Sequence, residues 1–114
     1  MKTTDVGYVG EQIAALHLQK SGHTILFTNF RNRNGEIDII SISEEVLYCT
    51  EVKNWSNSLH FHPLCVFNET KKKRMKKLYY YLIKKHPALV HLTVSFSLAH
   101  INEKREVHFY SHLF

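Results

Sequence analysis

The stretch GEIDIISISEEVLYCTEVK, residues 35–53, decides the fold. Two β-rich runs, residues 36–42 and 46–53, flank Ser43-Glu44-Glu45. That connection is short enough for a hairpin, although it lacks the Asn-Gly signal of the tightest turns. Ile37 and Ile39 alternate with Ile40 and Ile42, so both faces of the first run are apolar. Such a strand belongs in a sheet covered on two sides. A loop centred on Glu44-Glu45 sets Asp38 opposite Glu51 and Glu36 opposite Lys53. Alternation then turns Asp38, Glu51 and Lys53 to one face. Directly opposed Cβ atoms lie ~4.5–5.5 Å apart.

Two carboxylates at that separation repel by roughly 3 kcal/mol at an effective dielectric of ~20. Something cationic must offset this, or one acid must hold a proton. Lys53 does so in one arrangement, a buried Asp–Lys–Glu network that ties the sheet together. A divalent cation does so in another, because Mg²⁺ takes one or two carboxylates together with water and phosphate oxygens. Glu11 is a third candidate acid. It shares a helical row with Ala15 and Leu18, an inward row where an unpartnered acid is costly. Alternatively it sits in a first helical turn, where the helix dipole favours it.

Working outward, residues 8–20 are expected to form a helix. Val9, Ile13, Leu16 and Lys20 mark one row, and Ala15 and Leu18 widen its apolar face. Thr4 or Asp5 is placed to cap its start and Gly22 to stop it. Residues 24–30, TILFTNF, are β-branched and aromatic, hence a strand, followed by the polar turn RNRNG. Residues 54–63 read as an irregular loop. A second helix begins at an Asn68 cap and runs to about residue 86. Its buried stripe is Met75, Leu78, Tyr79, Leu82 and Ile83, and Pro87 ends it. Residues 89–99 and 106–110 supply a fourth and a fifth strand, with a turn near residues 102–105. The order αβββαββ predicts a single α/β domain over residues 1–114. Its mixed sheet of four to five strands is flanked by two main helices.

The net charge is +5, and it is unevenly placed. Eight basic residues and no acid lie between Lys71 and Lys85, leaving seven basic and ten acidic residues elsewhere. Clustered positive charge is the footprint expected of a polyanion partner. Lys71, Lys72, Lys73, Arg74, Lys76 and Lys77 are the candidate phosphate contacts on the helix, with Arg31 and Arg33 in the preceding turn. A solvated helix face is the plainer alternative. Tyr79, Tyr80 and Tyr81 offer rings for base stacking, although Tyr79 belongs to the buried stripe. No apolar run reaches the ~18 residues of a membrane span. Asp5 and Glu11 interrupt what would otherwise be a secretory leader. Two cysteines are too few for a disulfide scaffold and suit reduced thiols in the cytoplasm. His60, His62 and Cys65 fall close together, with Cys49 on the hairpin, but their spacing matches no zinc signature.

Taken together, Gly10-Glu11 with Ala14 and Ala15, Asn29-Phe30-Arg31, GEID at 35–38 and EVK at 51–53 resemble the YraN-type family. This is an uncharacterised, endonuclease-like bacterial family related to Holliday junction resolvases and the PD-(D/E)XK nucleases. The resemblance covers nearly the whole chain in order and spacing, including the closing Phe114. It implies a restriction-endonuclease-like sandwich. It implies Mg²⁺ or Mn²⁺ held by Asp38, Glu51 and the backbone carbonyl of Val52. Lys53 would orient or activate water, and Glu11 would match the acid on the first helix of resolvase-like members. The implied activity is hydrolysis of a phosphodiester, in DNA rather than RNA and on branched or structured substrates. A catalytically silent nucleic-acid-binding module is the alternative, and resolvase relatives add, by analogy, a homodimer. The chain departs from the family after EVK, where the loop reads NWSNSLHFHPL without a Phe-Gly pair. It departs again at Ser95-Phe96-Ser97, where Arg-Phe-Asp is usual.

Overall fold

The computed structural model describes residues 3–54 and 63–114, and the 54–63 loop lies almost wholly outside them. The chain forms α1 (Thr3–Lys20), β1 (Thr24–Asn32), β2 (Gly35–Ser43), β3 (Val46–Asn54), α2 (Glu69–Lys85), β4 (Thr93–Ile101) and β5 (Val107–Tyr110). Short 3₁₀ turns at Pro63–Val66 and Pro87–Leu89 bracket α2. The sheet order follows the chain, β1-β2-β3-β4-β5. All neighbours are antiparallel except β3 and β4, which run parallel and are joined through α2. This is the expected αβββαββ order with a mixed five-stranded sheet.

Both faces of the sheet are covered, as the two-sided isoleucine pattern requires. Met75, Leu78 and Leu82 of α2 pack with Ile37, Ile40, Leu47, Cys49, Phe96 and Leu98 on one side. Ala14 and Leu18 of α1 pack with Ile39, Ala99 and Ile101 on the other. The Asn68 side chain caps α2 by accepting from the Lys71 backbone N–H at 2.8 Å. Pro87 then opens a 3₁₀ turn, so β4 starts at Thr93 rather than at residue 89.

α1 differs from expectation in two respects. It begins at Thr3, so Thr4 and Asp5 lie within the helix and do not cap it. Its buried row is Ala14 and Leu18, while Leu16 is 52% exposed. Gly10 faces the end of β3, and a Cβ there would lie 3.2 Å from the Asn54 side chain, a contact tighter than usual.

The β2–β3 hairpin closes through a two-residue loop in which Glu44 and Glu45 both have positive φ, 48° and 68°. Each L-residue in that region costs ~1–2 kcal/mol, and Asn-Gly is the pair suited to it. Replacing Glu44-Glu45 by Asn-Gly is expected to stabilise the protein by about 1–2 kcal/mol. A raised urea midpoint at unchanged slope checks this; an unchanged midpoint refutes the turn geometry.

Two irregularities shape one end of the sheet. Asn29 has φ 54°. The register shift of β1 lies earlier, between Ile25 and Phe27; past Asn29 the ladder keeps one register, and Phe27 and Phe30, three apart, both pack on the α2 side. Their partners Ile40 and Ile37 do the same. In addition, the β2–β3 ladder runs from Ser43↔Val46 to Ile39↔Thr50 and ends there. β2 continues beside β1 to Gly35, and β3 continues beside β4 to Asn54. The sheet forks at Asp38.

Candidate functional site

The register expected from the hairpin holds up to the fork and fails beyond it. Asp38 and Glu51 are not a ladder pair, nor are Glu36 and Lys53. Instead Asp38 Oδ2 accepts a hydrogen bond from the Val52 backbone N–H at 2.8 Å. A side-chain carboxylate thus takes the place of the strand carbonyl that the fork has removed, and it anchors Asp38 between the two halves of the sheet.

The fork gathers acids. Carboxylate oxygens of Glu11, Glu36 and Asp38 all lie within 4.8 Å of one another. Glu11 reaches the group from α1, and a hydrogen bond from the Asn29 side chain favours its charged form. Partial burial still raises the Glu11 pKa, with Glu36 and Glu51 adding to the effect. Asp38 is pushed up to about 7, first by burial and then by the Glu51 charge, against the lowering effect of the Val52 N–H. Glu36 was not among the sequence candidates, having been placed opposite Lys53. Its one available signal is parity, since it stands two residues before Asp38 on one strand.

Glu51 is buried and carries the lysines. Lys71 Nζ lies 2.8 Å from Glu51 Oε1, and Lys53 Nζ lies 3.5 Å from the same oxygen. Among the described residues no ion pair reaches Asp38, so the three-residue Asp–Lys–Glu network does not form. Lys71 was grouped with the phosphate-contacting helix residues. As the first lysine of α2 it turns into the site, where its ammonium meets Glu51. It shares the row of Met75 and Leu78, both buried.

The other cations divide into two flanks of α2. Arg74 and Lys77 line a cleft of about 560 Å³ together with Arg31 and Arg33, Gly35 and Glu36. Gly35 has φ 148°, which favours glycine, and a Cβ added there would lie 3.7 Å from Arg74 Cβ. A smaller cleft of about 280 Å³ shares Gly35, Glu36 and Arg74 and is also lined by Lys71. Glu36 therefore stands both in the acid cluster and in the basic cleft. Lys72 and Lys76 lie on the other flank, 5.7 and 5.9 Å from the centre of the Phe114 ring. That ring stacks on Phe96 at 4.7 Å. Lys73 is exposed.

The remaining candidates do not join this site. Cys49 is buried in the α2-side core, and burial pushes its thiol up to about 12, away from the thiolate that zinc needs. Cys65 is exposed, and His60 and His62 lie outside the described residues. Ser95 and Ser97 bond each other at 2.7 Å, and Ser95 Oγ accepts from the His112 N–H at 2.8 Å. They secure the C-terminal segment. No helix among the described residues is long and apolar enough to cross a membrane.

The profile of an uncharacterised protein family, UPF0102, matches residues 10–101, a span that includes every acid and lysine of the fork. A UPF0102 protein of Leptospira interrogans is 40% identical over 108 residues, 95% of this chain and 93% of the relative. One from Coxiella burnetii is 30% identical over 105 residues, 92% and 88%. One from Alkaliphilus metalliredigens is 28% identical over 112 residues, 96% of each.

Proposed function

The chain belongs to the uncharacterised family UPF0102, and we propose that it is a nuclease-like protein that binds DNA and hydrolyses a phosphodiester with Mg²⁺ or Mn²⁺. One observation carries this reading: three carboxylates within 4.8 Å of one another adjoin a cleft walled by Arg31, Arg33, Arg74 and Lys77. Cations that attract a phosphate backbone and acids that repel it share a boundary only where something neutralises the acids.

The donors fit a hard divalent cation. They are all carboxylate oxygens, the ligands Mg²⁺ and Mn²⁺ prefer. Asp38, which no ion pair reaches among the described residues, has its carboxyl pushed up to about 7 by burial and its neighbours. Asp38, Glu36 and Glu11 would hold the ion, with Glu51 and the Val52 carbonyl completing the set that the YraN-type resemblance implies. A bound divalent cation neutralises charge on the scissile phosphate and makes a water more acidic. Lys53 would position that water and stabilise the developing charge. Glu51 holds Lys53 and Lys71 in place. Arg31, Arg33, Arg74 and Lys77 would hold the backbone.

A binding module without turnover is the second reading. It is favoured by Glu51, whose Oε1 is already satisfied by two lysines. One panel decides: duplex, single-stranded and branched DNA incubated with Mg²⁺, Mn²⁺ or EDTA. Cleavage with metal and none with EDTA supports the enzyme. Binding without cleavage under any condition supports the module. Binding of neither DNA nor metal removes both.

Metal binding alone has its own expected result. At ten times its dissociation constant, Mg²⁺ or Mn²⁺ should stabilise the fold by about 1.4 kcal/mol. For a chain of this size that is a rise of several degrees in melting temperature, ~4–8 °C. EDTA should reverse it, and Glu11→Gln should weaken it. A melting curve insensitive to millimolar metal, with or without DNA, rules out the site.

A further inference from the structure

Beyond the basic cleft, α2 carries a second surface that the hydrolytic reading does not use. Phe27 and Phe30 lie on the same side of the edge strand β1, with ring centres 5.5 Å apart. Tyr81 lies 6.0 Å from Phe30, and His86 lies 5.3 Å from Phe27. Lys85 Nζ stands 5.6 Å from the centre of the Tyr81 ring. Tyr81 is one helical turn beyond Lys77, so cleft and rings follow one flank of the helix. From Arg74 to Lys85 that flank runs on the order of 16 Å.

Aromatic rings usually complete a core. Here Tyr81 is 38% exposed, and Phe27 and Phe30 are only partly buried. The patch is bordered by Lys77 and Lys85, both exposed, and Arg31 follows Phe30 directly. Cations beside exposed rings oppose burial against an apolar partner. They match a chain that offers flat bases and negative phosphates at once, which is how sequence-tolerant single-strand binding works. Paired bases within a duplex keep their faces stacked on one another and have none to offer. Resting on the reading that the basic cleft holds a nucleic-acid backbone, we propose that the Phe30–Tyr81 surface binds unpaired bases. The substrate class is then DNA with a single-stranded arm next to a duplex, the arm lying along the far end of α2.

The test compares a blunt duplex with the same duplex carrying a short single-stranded arm, by fluorescence anisotropy in Ca²⁺ or EDTA so that nothing is cleaved. The wild-type protein should bind the armed duplex roughly 5- to 100-fold more tightly, the range for one stacked base. Tyr81→Leu should remove at least about 5-fold of that advantage and leave blunt-duplex affinity unchanged. Tyr81→Phe, which keeps the ring, should restore it. Tyr80→Leu serves as the control, because Tyr80 is 67% exposed but lies on a different flank of the helix. Equal affinity of the wild type for both duplexes overturns the platform alone. So does an equal loss on both in Tyr81→Leu, or a self-association of the wild type that Tyr81→Leu abolishes without any arm preference. Failure to bind either DNA overturns the platform together with the reading beneath it.

Discussion

Asp38→Asn is expected to make the metal-free protein more stable while abolishing cleavage. Burial and Glu51 hold the Asp38 carboxyl at about 7, against an ordinary value of 3.8. The folded state therefore binds more protons than the unfolded state between those values. Stability contributed by the protonated acid is full below about pH 4, declines as pH rises through about 7 and is lost above it. At ~1.4 kcal/mol per unit, over the roughly three units between those values, ionised Asp38 costs the fold about 4 kcal/mol at pH 8. Asparagine removes the charge and can still accept the Val52 N–H. The variant should gain roughly 2–4 kcal/mol at pH 8, little at pH 4, and lose its response to metal. Cleavage should fall by at least ~10³-fold, the rate equivalent of ~4 kcal/mol of transition-state stabilisation. Urea melts of both proteins at pH 4 and pH 8, together with the cleavage panel, check this. A variant less stable than wild type at pH 8 would mean that Asp38 has a cationic partner in the fold.

The second large effect lies in the cleft. If Arg31, Arg33, Arg74 and Lys77 each neutralise a phosphate of duplex DNA, they contribute about −3.6 to the slope of log K against log[salt]. Replacing all four by Gln should flatten the slope by roughly 3–4 and cost on the order of 10²-fold or more in affinity at low salt. Lys72 and Lys76 carry the same charge on the same helix, but they face the Phe114 ring. Changing those two to Gln should flatten the slope by less than about 1. Titrations at four salt concentrations separate the flanks. Equal effects from the two sets would restore a helix that acts through net charge alone.

The parts legible in the sequence are those set by neighbours along the chain. Asn68 announces α2 because its cap bond reaches only to Lys71. The two-sided isoleucines of β2 announce a covered sheet. The hairpin register follows from a two-residue loop even though Glu-Glu is a poor pair for it. The illegible parts are set across the fold. Leu16 and Leu18 are alike in the sequence, and only the packing of α1 on Ile39, Ala99 and Ile101 shows that Leu18 is the buried one. Glu36 joins the acids because β2 and β3 part at Asp38, and no residue in the hairpin signals a fork. Lys71 is marked as inward by the row it shares with Met75 and Leu78, but its partner, Glu51, shows only in the fold.

Asn29 imposes a constraint on how this protein can change. Its left-handed backbone lies between Phe27 and Phe30, which share one side, and its side chain holds Glu11. Asparagine tolerates that conformation because its short polar side chain can bond locally. The acid cluster and the aromatic surface therefore share one reference point. Insertions are affordable in the Asn32–Gly35 turn, where an extra residue leaves both intact. A single insertion or deletion between residues 27 and 30 would turn one ring to the α1 face and withdraw the support of Glu11 together. Asn29→Gly uncouples the two: it keeps the backbone and the paired rings while freeing Glu11. On the proposed reading, redesign of which DNA is held, without disturbing where it is cut, starts from the α2 side of the surface, at Tyr81, and leaves β1 untouched.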